Sequence, residues 1–345
     1  MTLPIYVAIP VYNGARTIRK TLTNVLQQTF EDFQVLVYDD GSTDRTAQIL
    51  GQMAARDSRI CLLVGDQNLG RGAARNRLLE AAKDGIIAWQ DADDAWNPTK
   101  LADQLKFFES FEELGIDPAK AVMISTFNIN TTRRGQDIVT KSTPPEIYDA
   151  SFVFSEDYRK CPFQLQATFG LASVYIEAGG FDGNLNWSED VDIALRLLAH
   201  GSRIVSHRVE CGLTTYHHSL AGVKGEVVEE AQQVIRDRYR AFAHDNGVDI
   251  DVVIERRRLN YLFSIYLFNN NFGKALATTL GALFPGEEQK VNQVSRNIIA
   301  VFRTMLQAQE ELSRAREAAL HGPEPAAPTE GQAARVQPAQ AAPER

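Results

Sequence analysis

The chain has 345 residues, long for one compact domain and short for three. Its 36 Lys and Arg against 44 Asp and Glu give a net charge of −8, which argues against a dedicated nucleic-acid binder, since such domains are usually basic. No apolar run reaches the ~20 residues that span a bilayer, and Met1-Thr2-Leu3-Pro4 opens without the basic and apolar segments of a secretory signal.

Cys61, Cys161 and Cys211 lie far apart and in no metal-ligand spacing, so a disulfide-built fold is excluded. The expectation is a cytoplasmic protein in which each Cys is a small buried apolar residue.

Ile5–Ile9 is a short apolar run stopped by Pro10, followed by a helical pattern with Ile18, Leu22, Val25 and Leu26 on one face. Gln34–Tyr38 reads as the second strand. It ends at Asp39-Asp40-Gly41-Ser42, and a helix then carries Ile49, Leu50 and Met53. Ile60–Val64 is the third strand, and Gly70–Lys83 an Ala-rich helix with its approach loop. Gly85–Gln90 is the fourth strand and runs into Asp91-Ala92-Asp93-Asp94. Pro98 then suits the first turn of a helix that turns Leu101, Leu105 and Phe108 inward. Strands alternating with helices predict a mostly parallel α/β sheet covered on both faces. Ligands of such sheets bind beyond the carboxyl ends of the strands. Three polar clusters, Pro10–Gly14, Asp39–Asp44 and Asp91–Asp94, therefore converge on one rim.

Near residue 222 the style changes, and Gly222-Val223-Lys224-Gly225 is a plausible joint. Glu226–His244, Ile254–Asn269, Phe272–Leu283 and Val291–Leu320 read as helices. Arg256-Arg257-Arg258 precedes an apolar stretch, a combination that lies on a membrane surface or packs on the catalytic domain or a partner subunit. The long last helix points to a homodimer contact. From 321 to 345 the chain is rich in Pro and Ala with a single large aliphatic, Val336, and is expected to be a disordered tail. The division is thus 1–221 catalytic, 222–320 helical and 321–345 tail.

Alternate residues at a strand end point the same way, so Asp91 and Asp93 face one site. Two neighbouring carboxylates are unfavourable unless a cation joins them, and Mg²⁺ or Mn²⁺ completed by phosphate oxygens is the natural occupant. A solvated loop with capping Asp residues is the bland alternative. Capping accounts for Ser42, Thr43 and Asp44, but not for the adjacent pair Asp39-Asp40. Gly70-Arg71-Gly72-Ala73-Ala74-Arg75 begins like a dinucleotide fingerprint. It has Arg75 where the third glycine belongs and follows the wrong strand, so a nicotinamide site is rejected. Arg71 and Arg75 either face a diphosphate or form surface ion pairs.

These strings, with Gln28-Thr29-Phe30-Glu31-Asp32-Phe33, Asn68-Leu69-Gly70, Ala95-Trp96, Gly179-Gly180-Phe181-Asp182 and Ser188-Glu189-Asp190-Val191-Asp192, resemble in order and spacing the family 2 glycosyltransferases over about residues 3–220. The resemblance implies a Rossmann-like glycosyltransferase A fold. It also implies inverting transfer of a sugar from a nucleotide diphosphate donor, most often a UDP-sugar, with Mn²⁺ or Mg²⁺. Asp40 would bind the uracil ring, with Pro10, Tyr12 and Asn13 around base and ribose. Asp91 would approach the ribose or the metal, and Asp93 would be the metal ligand. Asp190, after Glu189, would be the general base, taking the acceptor proton as attack proceeds. A helix-start charge favoured by the dipole is the other reading of Asp190. His217 or, preferentially, His218 would touch metal or diphosphate, or be structural. The usual Tyr-Arg…His pattern has become Tyr216-His217-His218-Ser219. Trp187 stacks on an acceptor sugar or packs in the core.

The expected partners are a nucleotide-sugar donor and a glycan or lipid-linked acceptor, with no nucleic acid, in a cytoplasmic protein that can sit peripherally on the inner face of the membrane. A non-catalytic nucleotide- or sugar-binding subunit of a glycan-assembly complex is the second class. A nucleotidyltransferase would need a Gly-rich triphosphate loop after the first strand, and Pro10-Val11-Tyr12-Asn13 is not one.

Overall fold

A parallel strand buried on both faces reads as an unbroken apolar run, and Ile5–Val11 is such a strand inside the main sheet. The computed structural model describes residues 3–133, 136–155, 162–217, 223–268 and 271–283. Within them β1 (Ile5–Val11), α1 (Ile18–Leu26), β2 (Gln34–Asp39), α2 (Thr46–Ala54), β3 (Ile60–Val64), α3 (Arg71–Ala81) and β4 (Ile86–Trp89) alternate as expected. The short β5 (Ala95–Trp96) and α4 (Lys100–Glu109) follow. Next come β6 (Ala121–Ser125), β7 (Phe127–Arg133), β8 (Gln136–Ser142), α5 (Ala150–Phe154), β9 (Thr168–Leu171) and α6 (Ala172–Glu177). The chain continues with α7 (Glu189–Ala199), β10 (Arg203–His207), β11 (Thr214–His217), α8 (Gly225–Asp245), α9 (Ile250–Phe268) and α10 (Phe272–Leu283).

The main sheet runs β10-β6-β9-β4-β1-β2-β3, with β9 antiparallel to both its neighbours and every other pair parallel. A second sheet, β5-β11-β7-β8, stands beside it. Side-chain alternation divides the core in two. Val7, Ile9, Val35, Val37 and Ala88 face α1, α2 and α4, while Ala8, Leu36, Ile87 and Trp89 face α3, α6 and α7. Because β1, β2 and β4 are mutually parallel, the segments following them emerge at one edge.

The helices after residue 222 share this core. Ile235, Tyr239, Ala243, Ile250 and Ile254 belong to the same buried cluster as Trp89 and Val191. Arg238 of α8 reaches Asp182 and Asp192 at 2.5 Å each, and the Tyr239 hydroxyl donates to the Asp192 carboxylate at 2.7 Å. The run Arg256-Arg257-Arg258 is not a free basic face. Arg257 is buried with its guanidinium on the Val153 carbonyl, and Arg258 is held by Glu229 and Glu255 at 2.7 and 2.8 Å.

Cys61 and Cys211 differ from expectation, since both are exposed. Cys61 lies on β3, the outermost strand, where alternate side chains meet solvent. Cys211 lies before β11, its Sγ beside the Asn97 amide at 3.8 Å. Cys161, His218, Gly222 of the expected joint, the helix expected at 291–320 and the tail 321–345 lie outside the described residues. No helix among the described residues is long and apolar enough to cross a membrane.

Candidate active site

Each rim loop is fixed by a short polar side chain. Asn13, with φ of 52°, has a left-handed backbone that Asn tolerates better than most residues. Its amide oxygen accepts from the Thr43 and Asp44 backbone at 2.8 and 3.3 Å, and its own N–H donates to Ser42 Oγ at 2.9 Å. The loops after β1 and β2 are thereby joined. Gly41 has φ of 70°, and a Cβ there would stand 2.7 Å from the Gln67 backbone, so the turn needs glycine. Asp40 is buried, and its two carboxylate oxygens accept from the Leu69 and Gly70 N–H groups at 3.0 and 2.9 Å. Asp39 accepts from Ser42 N–H at 3.0 Å.

The loop after β4 is held from three sides. Asp91 accepts from Arg75 at 3.1 Å through one oxygen and from the Gln166 amide through the other. Arg75 is only 1% exposed, and its other terminal nitrogen donates to Glu189 at 3.1 Å. Burial opposes its charge, but Asp91, Glu189 and Asp190 outweigh it and raise its pKa. From α1, Thr21 donates to the Ala92 carbonyl at 2.8 Å. Asn24 pairs with both backbone groups of Trp96, and Gln28 bridges Asn97 and Leu101. Thr21 and Asn24, three apart, share one face of α1, and Gln28 follows two residues after its end. Asp94 is buried and accepts from His217 N–H at 2.9 Å, with His217 Nδ1 at 3.3 Å.

Two cavities result. The first, of about 720 Å³, is lined by Pro10, Tyr12, Asn13, Asp40, Asp91 and Asp93 among others. Desolvation and the Asp91 charge raise the pKa of Asp93, and no described side chain donates to its carboxylate. Among the described residues no cluster of three or more His, Cys, Asp or Glu forms a closed metal site. An anionic carboxylate short of a counter-charge in an open cleft fits a divalent ion that takes its remaining ligands from a phosphate-bearing ligand and water.

The second cavity, of about 430 Å³, holds Asp190, Trp187, Gln164, Tyr216 and residues of α9. Asp190 Oδ1 is buried there with no hydrogen bond. Desolvation and the neighbouring Glu189 and Asp91 charges push its pKa up to about 7 against the pull of Arg75 and Arg71. Ser188, just before it, has φ of 61°, a left-handed conformation that costs a non-glycine residue about 1–2 kcal/mol. Arg71 lines both cavities and pairs with Glu189 at 3.1 Å.

Residues 6–157 match the sequence model of glycosyl transferase family 2. That match covers 152 of the 345 residues. A glucosyltransferase of Escherichia coli, WfaP, whose name gives UDP-Glc as donor and GlcNAc-diphosphoundecaprenol as acceptor, is 36% identical over 104 residues, 30% of this chain and 41% of that protein. The teichuronic acid biosynthesis protein TuaG of Bacillus subtilis is 39% identical over 101 residues, 29% of this chain and 40% of that protein. The matched part thus spans about two fifths of these curated relatives. The structure of S. aureus TarS 1–349 shares the fold at a TM-score of 0.53 and 18% identity, covering 86% of this chain and 92% of that one. A mannosyltransferase of Pyrobaculum calidifontis does so at 0.52 and 17%, covering 93% and 88%.

The residues expected on the donor side, Pro10, Tyr12, Asn13, Asp40, Arg71, Asp91 and Asp93, line one cavity. Arg75 departs from both of its readings. It is neither on the surface nor on the cleft wall, but is the buried tie between Asp91 and Glu189. Glu189, expected beside the base, spends its carboxylate on Arg71 and Arg75. Trp187 packs edge-on to Tyr261 at 6.1 Å and lines the second cavity. Gln166, Thr21 and Asn24 are not among the expected site residues, and Gln28 enters only through the family-like string. Thr21 and Asn24 leave a signal, polar residues at helical spacing beside the apolar face, whereas Gln166 leaves none.

Gly72 explains the start of the false fingerprint, because a Cβ there would stand 2.4 Å from the Asp182 carbonyl oxygen. Gly72→Ala is expected to cost about 1–3 kcal/mol through displacement of the 182–183 backbone, measurable by urea unfolding.

Proposed function

We propose that the enzyme transfers a sugar from a UDP-sugar, held in the first cavity, to a hydroxyl of a glycan or of a sugar on a lipid diphosphate, held in the second, with inversion at the anomeric carbon. The observation that carries this reading is the meeting of the two cavities at Arg71, with an uncompensated carboxylate in one and a proton-seeking carboxylate in the other. UDP is favoured because the name of WfaP gives a UDP-sugar and TarS has been crystallised with UDP. The acceptor class follows from the names of WfaP and TuaG.

Asp190 accepts the acceptor's proton as its oxygen attacks, and its raised proton affinity suits that task near neutral pH. Arg75 and Gln166 hold Asp91, and Arg75 with Arg71 neutralises Glu189, which leaves Asp190 as the free carboxylate of the pair. Arg71 stands on the wall between the cavities, where a cation stabilises a departing diphosphate. Asp93 would hold Mn²⁺ or Mg²⁺, with His217 or His218 as the candidate imidazole ligand. That ion supplies further stabilisation of charge on the leaving group.

Release of UDP from UDP-sugars, followed with and without Mn²⁺, tests the reading. Asp93→Asn is expected to weaken Mn²⁺-dependent UDP affinity by roughly 10–100-fold in calorimetry. UDP affinity without any turnover of the wild-type chain would instead favour a non-catalytic nucleotide-binding subunit.

A further inference from the structure

The second cavity contains two buried hydrogen-bond acceptors that nothing described satisfies, Asp190 Oδ1 and Gln164 Oε1. Leaving such groups unpaired costs about 1–3 kcal/mol each, so two of them lining one cavity call for a ligand that bears hydrogen-bond donors. The rest of the lining includes aromatic rings, the Asn260 amide and the guanidinium groups of Arg71 and Arg257. Trp187 and Tyr261 meet edge to face at 87°, Phe263 is exposed at the mouth, and Asn260 lies one residue before Tyr261. A polyprenyl chain would cover the rings but leave both acceptors and the Asn260 amide unpaired. A pyranose meets both demands, since its C–H face packs on aromatic rings while its hydroxyls donate.

Three of these residues, Asn260, Tyr261 and Phe263, belong to α9, which lies beyond the segment matched by the family. We propose that α9 is the acceptor-specificity element of this enzyme. It holds a pyranose ring of the acceptor against Tyr261 and Trp187, with one hydroxyl on Gln164 and the attacking hydroxyl on Asp190. The proposal rests on the glycosyltransferase reading above and adds the acceptor ring and the residues that select it.

The test uses the full chain saturated with UDP and Mn²⁺. Methyl α- and β-glycosides of glucose, galactose, mannose and N-acetylglucosamine are titrated while tryptophan fluorescence is followed. Trp89 and Trp96 are buried in the core, so Trp187 is the responsive indole. At least one glycoside is expected to give a saturable change that disappears in Trp187→Phe. Its midpoint rises about tenfold or more in Gln164→Leu and Tyr261→Ala and returns in Tyr261→Phe. UDP binding by each variant reports that it has folded. Should Tyr261→Ala fail that check, Asn260→Ala, a smaller truncation, takes its place. A wild-type chain that binds no UDP sinks the glycosyltransferase reading itself. A chain that binds UDP but answers none of the glycosides, or whose midpoint neither Gln164→Leu nor the α9 variant shifts, overturns the role of α9 alone.

Discussion

Asp190→Asn is expected to lower kcat for transfer by roughly 10³-fold, the usual contribution of a positioned general base, with UDP affinity nearly unchanged. The substitution keeps the shape and removes the proton acceptor. The competing account of Asp190, a charge favoured by the α7 dipole, predicts a stability change well under ~1 kcal/mol and intact transfer, so a single kinetic comparison separates them. The wild-type pH profile carries the same information. An ordinary exposed carboxylate would keep transfer running down to about pH 4, whereas a base with a pKa near 7 loses activity as the pH falls through 7. Stability moves the other way. The folded state binds this proton more tightly than the unfolded chain does, so between about pH 4 and 7 the contribution of Asp190 to stability falls as pH rises. At pH 8 Asp190→Asn should therefore melt above the wild type while being nearly inactive. A variant that melts lower and retains transfer would remove Asp190 from the mechanism.

Arg75→Met is expected to destabilise the fold by about 3–5 kcal/mol, because it leaves Asp91 and Glu189 facing each other without the cation between them. For a domain of this size that is a fall in Tm on the order of 10 °C. The loss should not resemble that of a surface ion pair, which is worth ~0–1 kcal/mol and fades with salt. Arg75 is buried, and 0.5 M NaCl should recover little of the difference. Adding Glu189→Gln to Arg75→Met should restore part of the Tm, since one of the two stranded charges is gone. Additive losses in that double-mutant cycle would mean the two residues do not act on each other.

The sequence reading succeeds where one strand's own residues decide the outcome. β1 to β4 are apolar runs closed by Pro, Gly or Asp, and their parallel order alone brings Asn13, Asp40 and Asp93 to one edge. It fails where the deciding partner is distant. β9 has four residues, and Gly170 lets it lie close against Val122, where an added Cβ would be 3.1 Å from that side chain. Nothing local marks it as the antiparallel strand inside a parallel sheet. Arg75 looks like any helix-surface arginine until Asp91 and Glu189 converge on it from 16 and 114 residues away. The same holds for Gln166, which meets Asp91 across 75 residues. Pro98 shows the usual boundary error, since α4 begins two residues later, at Lys100.

The position of α9 bears on how such an enzyme can diversify. The first cavity is assembled almost wholly from the first hundred residues, whose loops are tied to one another by Asn13, Asp40 and Thr21. The outer wall of the other cavity is written some 150 residues later, on a helix whose remaining faces pack against α8 and α10. Under the proposed function, substitutions there would accumulate without reaching the nucleotide-binding loops. Grafting residues 250–268 from one relative onto another is thus a compact route to enzymes that keep their donor and change the molecule they decorate.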